Sequence, residues 1–198
     1  EGAAEGVFAV ALTLLVVSLE GPRSFNELMH TMRGFPAFAV CFGMLFQVWW
    51  RHYKFFRAYD LEDSYVIVLT GCLLFVVMFY VYPLKFMFDS LFAGLLPRRG
   101  DAPHPMQAYQ LANASAIYAV GFMAVFVVFA LLYHHAWRCR AALELSELDV
   151  FEARSAIGHH LVSASVGLLS LILALTLPIR LSPLAPTAFS LLGPFHWA

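Results

Sequence analysis

Charge is what this sequence has least of. Only 13% of its 198 residues are charged and 61% are hydrophobic, whereas about a quarter of an ordinary soluble domain is charged. A water-soluble core cannot hide so large an apolar share. The formal net charge of -1, with basic residues scattered rather than gathered into a stripe, excludes the footprint of a nucleic-acid binder. No HExxH, Gly-rich phosphate loop or nucleophile motif occurs, so enzyme chemistry is not expected. The three cysteines, Cys41, Cys72 and Cys139, have no CxxC spacing. Two lie inside apolar runs, where a thiol behaves as a small hydrophobe, so neither a disulfide framework nor a resident cofactor is implied.

What is present is length without charge. Ser64 to Leu84, Ala102 to Trp137 and Ser155 to Ile179 contain no Asp, Glu, Lys or Arg. Each is long enough as a helix to cross the roughly 30 Å hydrocarbon core of a bilayer. The expected fold is therefore all-α: a single transmembrane domain over residues 1–198 with six membrane helices at about 1–19, 34–57, 63–85, 107–137, 155–179 and 181–195. The first apolar run, Gly6 to Leu19, spans only about 21 Å and is expected to borrow polar ends or to continue upstream of Glu1. Its acidic start lacks the basic n-region of a signal peptide.

Between the spans, Glu20 to Arg33 reads as a loop with one short helical turn. Arg51, Lys54 and Arg57, interleaved with Phe55, Phe56 and Tyr59, read as an interfacial helix end whose basic side chains snorkel to headgroups. Asp60, Glu62 and Asp63 suit a helix N-terminus, so spans two and three form a hairpin. Residues 138–154 read as a short amphipathic connector outside the bilayer, with Glu144, Glu147, Asp149 and Glu152 on a solvated face. Basic residues divide evenly between the two sides, so the charge rule gives no orientation.

Two groups of residues invite a functional reading. Val10, Thr13, Leu14 and Val17 fall on one face of the first helix at i, i+3, i+4 and i+7. On periodicity alone this is a packing stripe; the alternative is the lining of an axial pore, where apolar rings gate by dewetting. Trp49, His52 and Phe56 follow one face of the second span, with Asp63 a few residues on. Alone they read as an aromatic belt with a surface histidine; the alternative is one closed hydrogen-bond network.

The run from Glu1 to Leu15, EGAAEGVFAVALTLL, resembles the first helix of the transmembrane protein 175 family of potassium channels, with the pattern Glu-x-Phe-Ser-Asp-Gly-Val-Phe-Ala-Ile-Ala-x-Thr-Leu-Leu. Trp49, His52, Phe56 and Asp63 are similar in order and spacing to residues of that family's second and third helices. The resemblance covers about the first third of the chain and implies a one-repeat, prokaryotic-type subunit of this lysosomal-type channel family. It further implies a homotetramer in a prokaryotic plasma membrane, potassium as the permeant ion, and helix one lining a central pore without a TVGYG filter.

By position it assigns constrictions to Val10, Leu14 and Val17, a pore-facing hydroxyl to Thr13, and an anchoring network to Trp49, His52 and Asp63. The Phe-Ser-Asp signature reads Ala3, Ala4 and Glu5, which removes an aromatic ring and a hydroxyl and lengthens the carboxylate. Thr70 stands where the family has Asn. The expected function is a potassium-permeable cation channel with a hydrophobic gate and modest selectivity, its partners being its own copies, membrane lipids and potassium ions. The alternatives are a metal- or proton-handling protein built on His134, His135, His159 and His160, and a non-conducting divergent member with a structural role.

Overall fold

The computed structural model describes residues 2–17, 24–95, 108–177 and residue 189, and among these all regular structure is helical. The helices are α1 (Gly2–Val17), α2 (Phe25–Arg33), α3 (Phe35–Tyr59), α4 (Ser64–Leu95), α5 (Ala108–Arg138) and α6 (Glu147–Thr176). Among the described residues, three segments are long and apolar enough to cross a membrane: Ser64–Phe92, Tyr109–Arg138 and Glu147–Thr176. Their outward side chains include Ile67, Phe75, Phe79, Leu161, Leu168 and Ile172, all strongly exposed. Large apolar side chains facing outward along spanning helices suit an acyl-chain solvent. The chain is a multi-pass membrane protein.

Helix ends depart from the sequence reading in three places. Residues 25–33, read as loop with a single turn, form the nine-residue α2. Ser24 caps it by accepting the Glu27 amide at 3.2 Å, and Phe25, Leu28, Met29 and Met32 share one exposed apolar face. Second, α4 does not stop near Pro83 but continues to Leu95. Proline is tolerated there because packed neighbours in a membrane helix can satisfy the carbonyl it frees. Third, the acids expected on a separate connector begin α6. Ser146 and Asp149 form a reciprocal capping box, with Ser146 N–H donating to Asp149 Oδ2 at 3.0 Å and Asp149 N–H to Ser146 Oγ at 3.2 Å. Carboxylates there also complement the helix dipole. The expected span 181–195 lies outside the described residues except for Phe189, whose ring sits 4.9 Å from both Tyr118 and Phe122.

The hairpin between α3 and α4 is tight. Asp60 takes a left-handed conformation (φ 45°) and its amide closes on the Phe56 carbonyl at 3.0 Å, a C-terminal stop that Asp tolerates better than most residues. Before the stop, Lys54 lies over the Trp50 ring at 5.7 Å and Arg57 over Tyr53 at 6.0 Å. Stacked cations on aromatic faces are what an interfacial helix end requires.

The core joins α1, α3, α4 and α5 around Leu15, Phe55, Leu73, Phe129 and Leu132, each fully buried. Close approach of α4 and α5 depends on Gly121. A Cβ at that position would lie 2.2 Å from the Tyr80 ring. Tyr80 is itself fixed, because its hydroxyl donates to the Tyr118 carbonyl at 2.8 Å. On the other side of α5, Gly167 of α6 lies against Phe122 and Met123, so α6 also packs through a small residue.

Candidate functional site

The first helix has two faces of different character. Ala4, Phe8, Ala11 and Leu15 are buried; their spacing of four, three and four residues keeps them on one stripe, and they pack α1 onto α3 and α4. At about 100° per residue, Gly6, Thr13 and Val17 lie on the side opposite that stripe, and Val10 flanks them. All four are exposed, Val10 at 48% and Val17 at 69%. Leu14 lies at the edge, half-buried. A Cβ at Gly6 would meet open space among the described residues.

Thr13 is the polar member of the exposed stripe. Its hydroxyl donates to the Ala9 carbonyl at 2.8 Å, which satisfies the proton inside the helix and leaves oxygen lone pairs facing outward. An oxygen so held can contact a cation but cannot donate to an anion. Glu5 is exposed on the same helix, Ala4 is buried, and the side chain of Ala3 lies outside the described residues. Thr70 is half-buried in α4, and its hydroxyl has no hydrogen-bond partner among the described residues.

The residues expected to anchor the pore helix are not joined in one network. His52 is buried, and its ring lies 5.9 Å from Phe8 of α1 and 4.7 Å from Phe56. Its Nε2 has no hydrogen-bond partner among the described residues. Trp49 belongs to an aromatic row with Phe46, Trp50 and Tyr53. Asp63 sits past the Asp60 turn and points elsewhere. One carboxylate oxygen accepts the Val66 amide at 2.9 Å and caps α4, and the other meets His135 Nε2 of α5 at 2.5 Å. The Val66 amide first, and then the His135 imidazole, hold the Asp63 carboxyl below the usual carboxylate range.

The physical reason is helical phase. His52 lies on the face of α3 turned to α1, whereas Asp63 starts the next helix beside the end of α5. The anchor that sequence reasoning missed is Phe8, 3% exposed and packed on His52. Its signal was available: Phe8 is the bulkiest member of the buried stripe. Phe8→Ala is expected to loosen α1. Acyl chains are as apolar as the ring, so what is lost is mainly the cavity part of the substitution, on the order of 2 kcal/mol. A fall of about 4–8 °C in the thermal midpoint of purified protein checks it; an unchanged midpoint would show that Phe8 does not anchor the helix.

Among the described residues, the four histidines proposed for metal form no common ligand group. His134 lies beside Trp137, ring centroids 5.6 Å apart and tilted, and His135 turns to Asp63. His160 is buried against Phe126, Phe129 and Tyr133. Neighbouring residues on a helix point about 100° apart, which sends each adjacent pair to different surroundings.

Comparison with known proteins adds ancestry to this geometry. A family profile described as "Endosomal/lysosomal potassium channel TMEM175" matches residues 1–80, a region that holds α1, the α3–α4 hairpin and the Phe8–His52 contact. A potassium channel of Marivirga tractuosa is 37% identical over 184 residues, covering 88% of this chain and 73% of that protein. A potassium channel of Chamaesiphon minutus is 27% identical over 144 residues, covering 69% and 64%.

Among solved structures, a variant of the potassium channel MtTMEM175, bound to a nanobody fusion, superposes with a TM-score of 0.83 at 35% identity, covering 98% of this chain and 88% of that one. A TMEM175 homologue from Chamaesiphon minutus, described as a lysosomal potassium-selective channel, gives 0.63 at 22% identity with 98% and 93% coverage, a likeness of fold. Channels of this kind are not enzymes, in keeping with the lack of any catalytic motif. With more than a third of its residues shared with the Marivirga channel over most of its length, and the matching profile on its first helices, the chain belongs to the TMEM175 family.

Proposed function

We propose that the chain is one subunit of a potassium-permeable channel, a homotetramer of six-helix subunits in a prokaryotic plasma membrane, with α1 lining a central pore. The observation that carries this reading is the two-faced α1: Ala4, Phe8, Ala11 and Leu15 hold it to its own subunit, while Gly6, Val10, Thr13 and Val17 stay exposed. In a tetramer that face meets its symmetry mates across an axis. Family membership and the potassium channels among the relatives support the same ion.

In this mechanism, rings of Val10, Leu14 and Val17 set whether water is continuous along the axis, and widening the bundle opens the path. Thr13 offers four weak oxygen contacts, enough to ease partial dehydration and too few to trap an ion, so selectivity is modest. No cofactor takes part; the permeant ion is the ligand, and lipids form the remaining environment. Potassium efflux from liposomes reconstituted with the purified chain tests the proposal. Efflux above that of protein-free vesicles, with potassium passing faster than sodium, is expected. Efflux equal to that of empty vesicles would favour the non-conducting alternative.

A further inference from the structure

Where α4 begins and α5 ends, three side chains of metal-ligating type converge. Asp63, His135 and Cys139 offer ligand atoms that all lie within 4.8 Å of one another. Cys139 Sγ is 3.7 Å from His135 Nε2, and the same nitrogen faces Asp63 Oδ2. From these positions we infer a binding site for a borderline divalent cation, with Zn2+ its natural occupant, that ties the start of α4 to the end of α5. The site is independent of the pore and uses His135 but not His134, His159 or His160.

Spacing supports the site first. His135 and Cys139 are four residues apart, and the Cys139 amide still donates to the His135 carbonyl at 3.0 Å, so both side chains leave one face of a continued helical turn. Tetrahedral zinc with nitrogen and thiolate ligands separates N from S by about 3.6 Å, close to the observed distance. The Asp63 oxygen and His135 nitrogen would part by roughly 0.8 Å to reach ligand separation. Asp63 has room to do so, because its side chain is 43% exposed. Tyr65 lies beside the imidazole at 4.7 Å and steadies the ring plane.

The donor set also selects the ion. Thiolate, imidazole and carboxylate together suit Zn2+ or Co2+, whereas Mg2+ and Ca2+ favour all-oxygen shells. Two anionic ligands offset the ion's charge. On binding, the Cys139 S–H proton passes to water as the metal–sulfur bond forms. His135 ligates through Nε2 with its one remaining proton on Nδ1, any proton on Nε2 passing to water, and nothing is oxidised or reduced. Partial exposure of His135, at 21%, gives the ion a route from water and leaves a fourth position for a water ligand.

The full chain, purified in detergent and stripped with chelator, is titrated with Zn2+ and desalted for elemental analysis, with Co2+ as the spectroscopic probe. Expected are one Zn2+ per subunit, a cobalt–thiolate charge-transfer band, and a metal-dependent rise in thermal midpoint. Cys139→Ser should abolish the band and weaken binding at least about 100-fold, and Asp63→Asn should weaken it by about tenfold or more. Cys72→Ser, His134→Ala and His159→Ala should bind as the parent does. Metal-free melts of each variant separate lost ligation from lost folding, and Asp63→Asn serves as the second variant should Cys139→Ser melt early. No stoichiometric metal in the parent chain, unchanged binding in Cys139→Ser, or loss of binding in His134→Ala or His159→Ala would overturn the inference.

Discussion

Replacing Leu14 by alanine is expected to raise resting potassium leak through reconstituted protein by about tenfold, equivalent to roughly 1.4 kcal/mol off the barrier. Leu14 lies at the edge of the exposed face of α1, half-buried in the lone subunit, where it would meet its neighbours around the axis. A ring of leucines excludes water by bulk and by the absence of any polar atom. Alanine removes the bulk and keeps the apolar character, so the water column becomes easier to form without a new binding site. Helix propensity is if anything improved by the exchange, so a rise in flux cannot be attributed to unravelling of α1. Efflux rates from matched proteoliposomes check this; leak at or below the parent level would remove Leu14 from the gate.

The second large effect lies far from α1. Gly121→Val is expected to cost about 3 kcal/mol, the upper part of the range for overpacked cores. The first atom of the new side chain would fall 2.2 Å from the Tyr80 ring, and Tyr80 cannot swing aside without breaking its bond to the Tyr118 carbonyl. Either the ring leaves or α4 and α5 separate. A second change, Tyr80→Ala, should restore much of the lost stability in a double-mutant cycle, because it removes the atoms being struck. Thermal unfolding of the two single variants and the double variant is the readout. Additive effects would mean that the Gly121–Tyr80 contact does not set the helix spacing.

How far the sequence discloses this molecule depends on which physical signal each feature leaves. Long uncharged runs made the membrane helices legible, and the acids after Tyr59 marked the α3–α4 hairpin. The extension of α4 past Pro83 was not legible, since a proline that ends a helix in water is tolerated among packed membrane helices. The length of α2 is not legible because Gly21, Pro22 and Asn26 signal a loop, against which the i, i+3, i+4, i+7 pattern of Phe25, Leu28, Met29 and Met32 covers only about two turns.

For the site, the periodic stripe of α1 is readable from sequence, but whether it packs or stays exposed is not. That depends on Phe8 finding His52 across two helices. Likewise the Asp63–His135 pair joins residues 72 apart in sequence, a separation no local pattern encodes.

Conduction along α1 requires Thr13 to face water on the symmetry axis. With Cys72 and Cys139 replaced by serine, the rate at which a charged, water-soluble thiol reagent modifies Thr13→Cys, and the accompanying change in potassium flux, tests this most directly. Phe75→Cys on the exposed face of α4 supplies the lipid-facing comparison. Fast modification of Thr13→Cys with loss of flux, and slow modification of Phe75→Cys with none, is the predicted result. Thr13→Cys reacting no faster than Phe75→Cys, with flux unchanged, would contradict it.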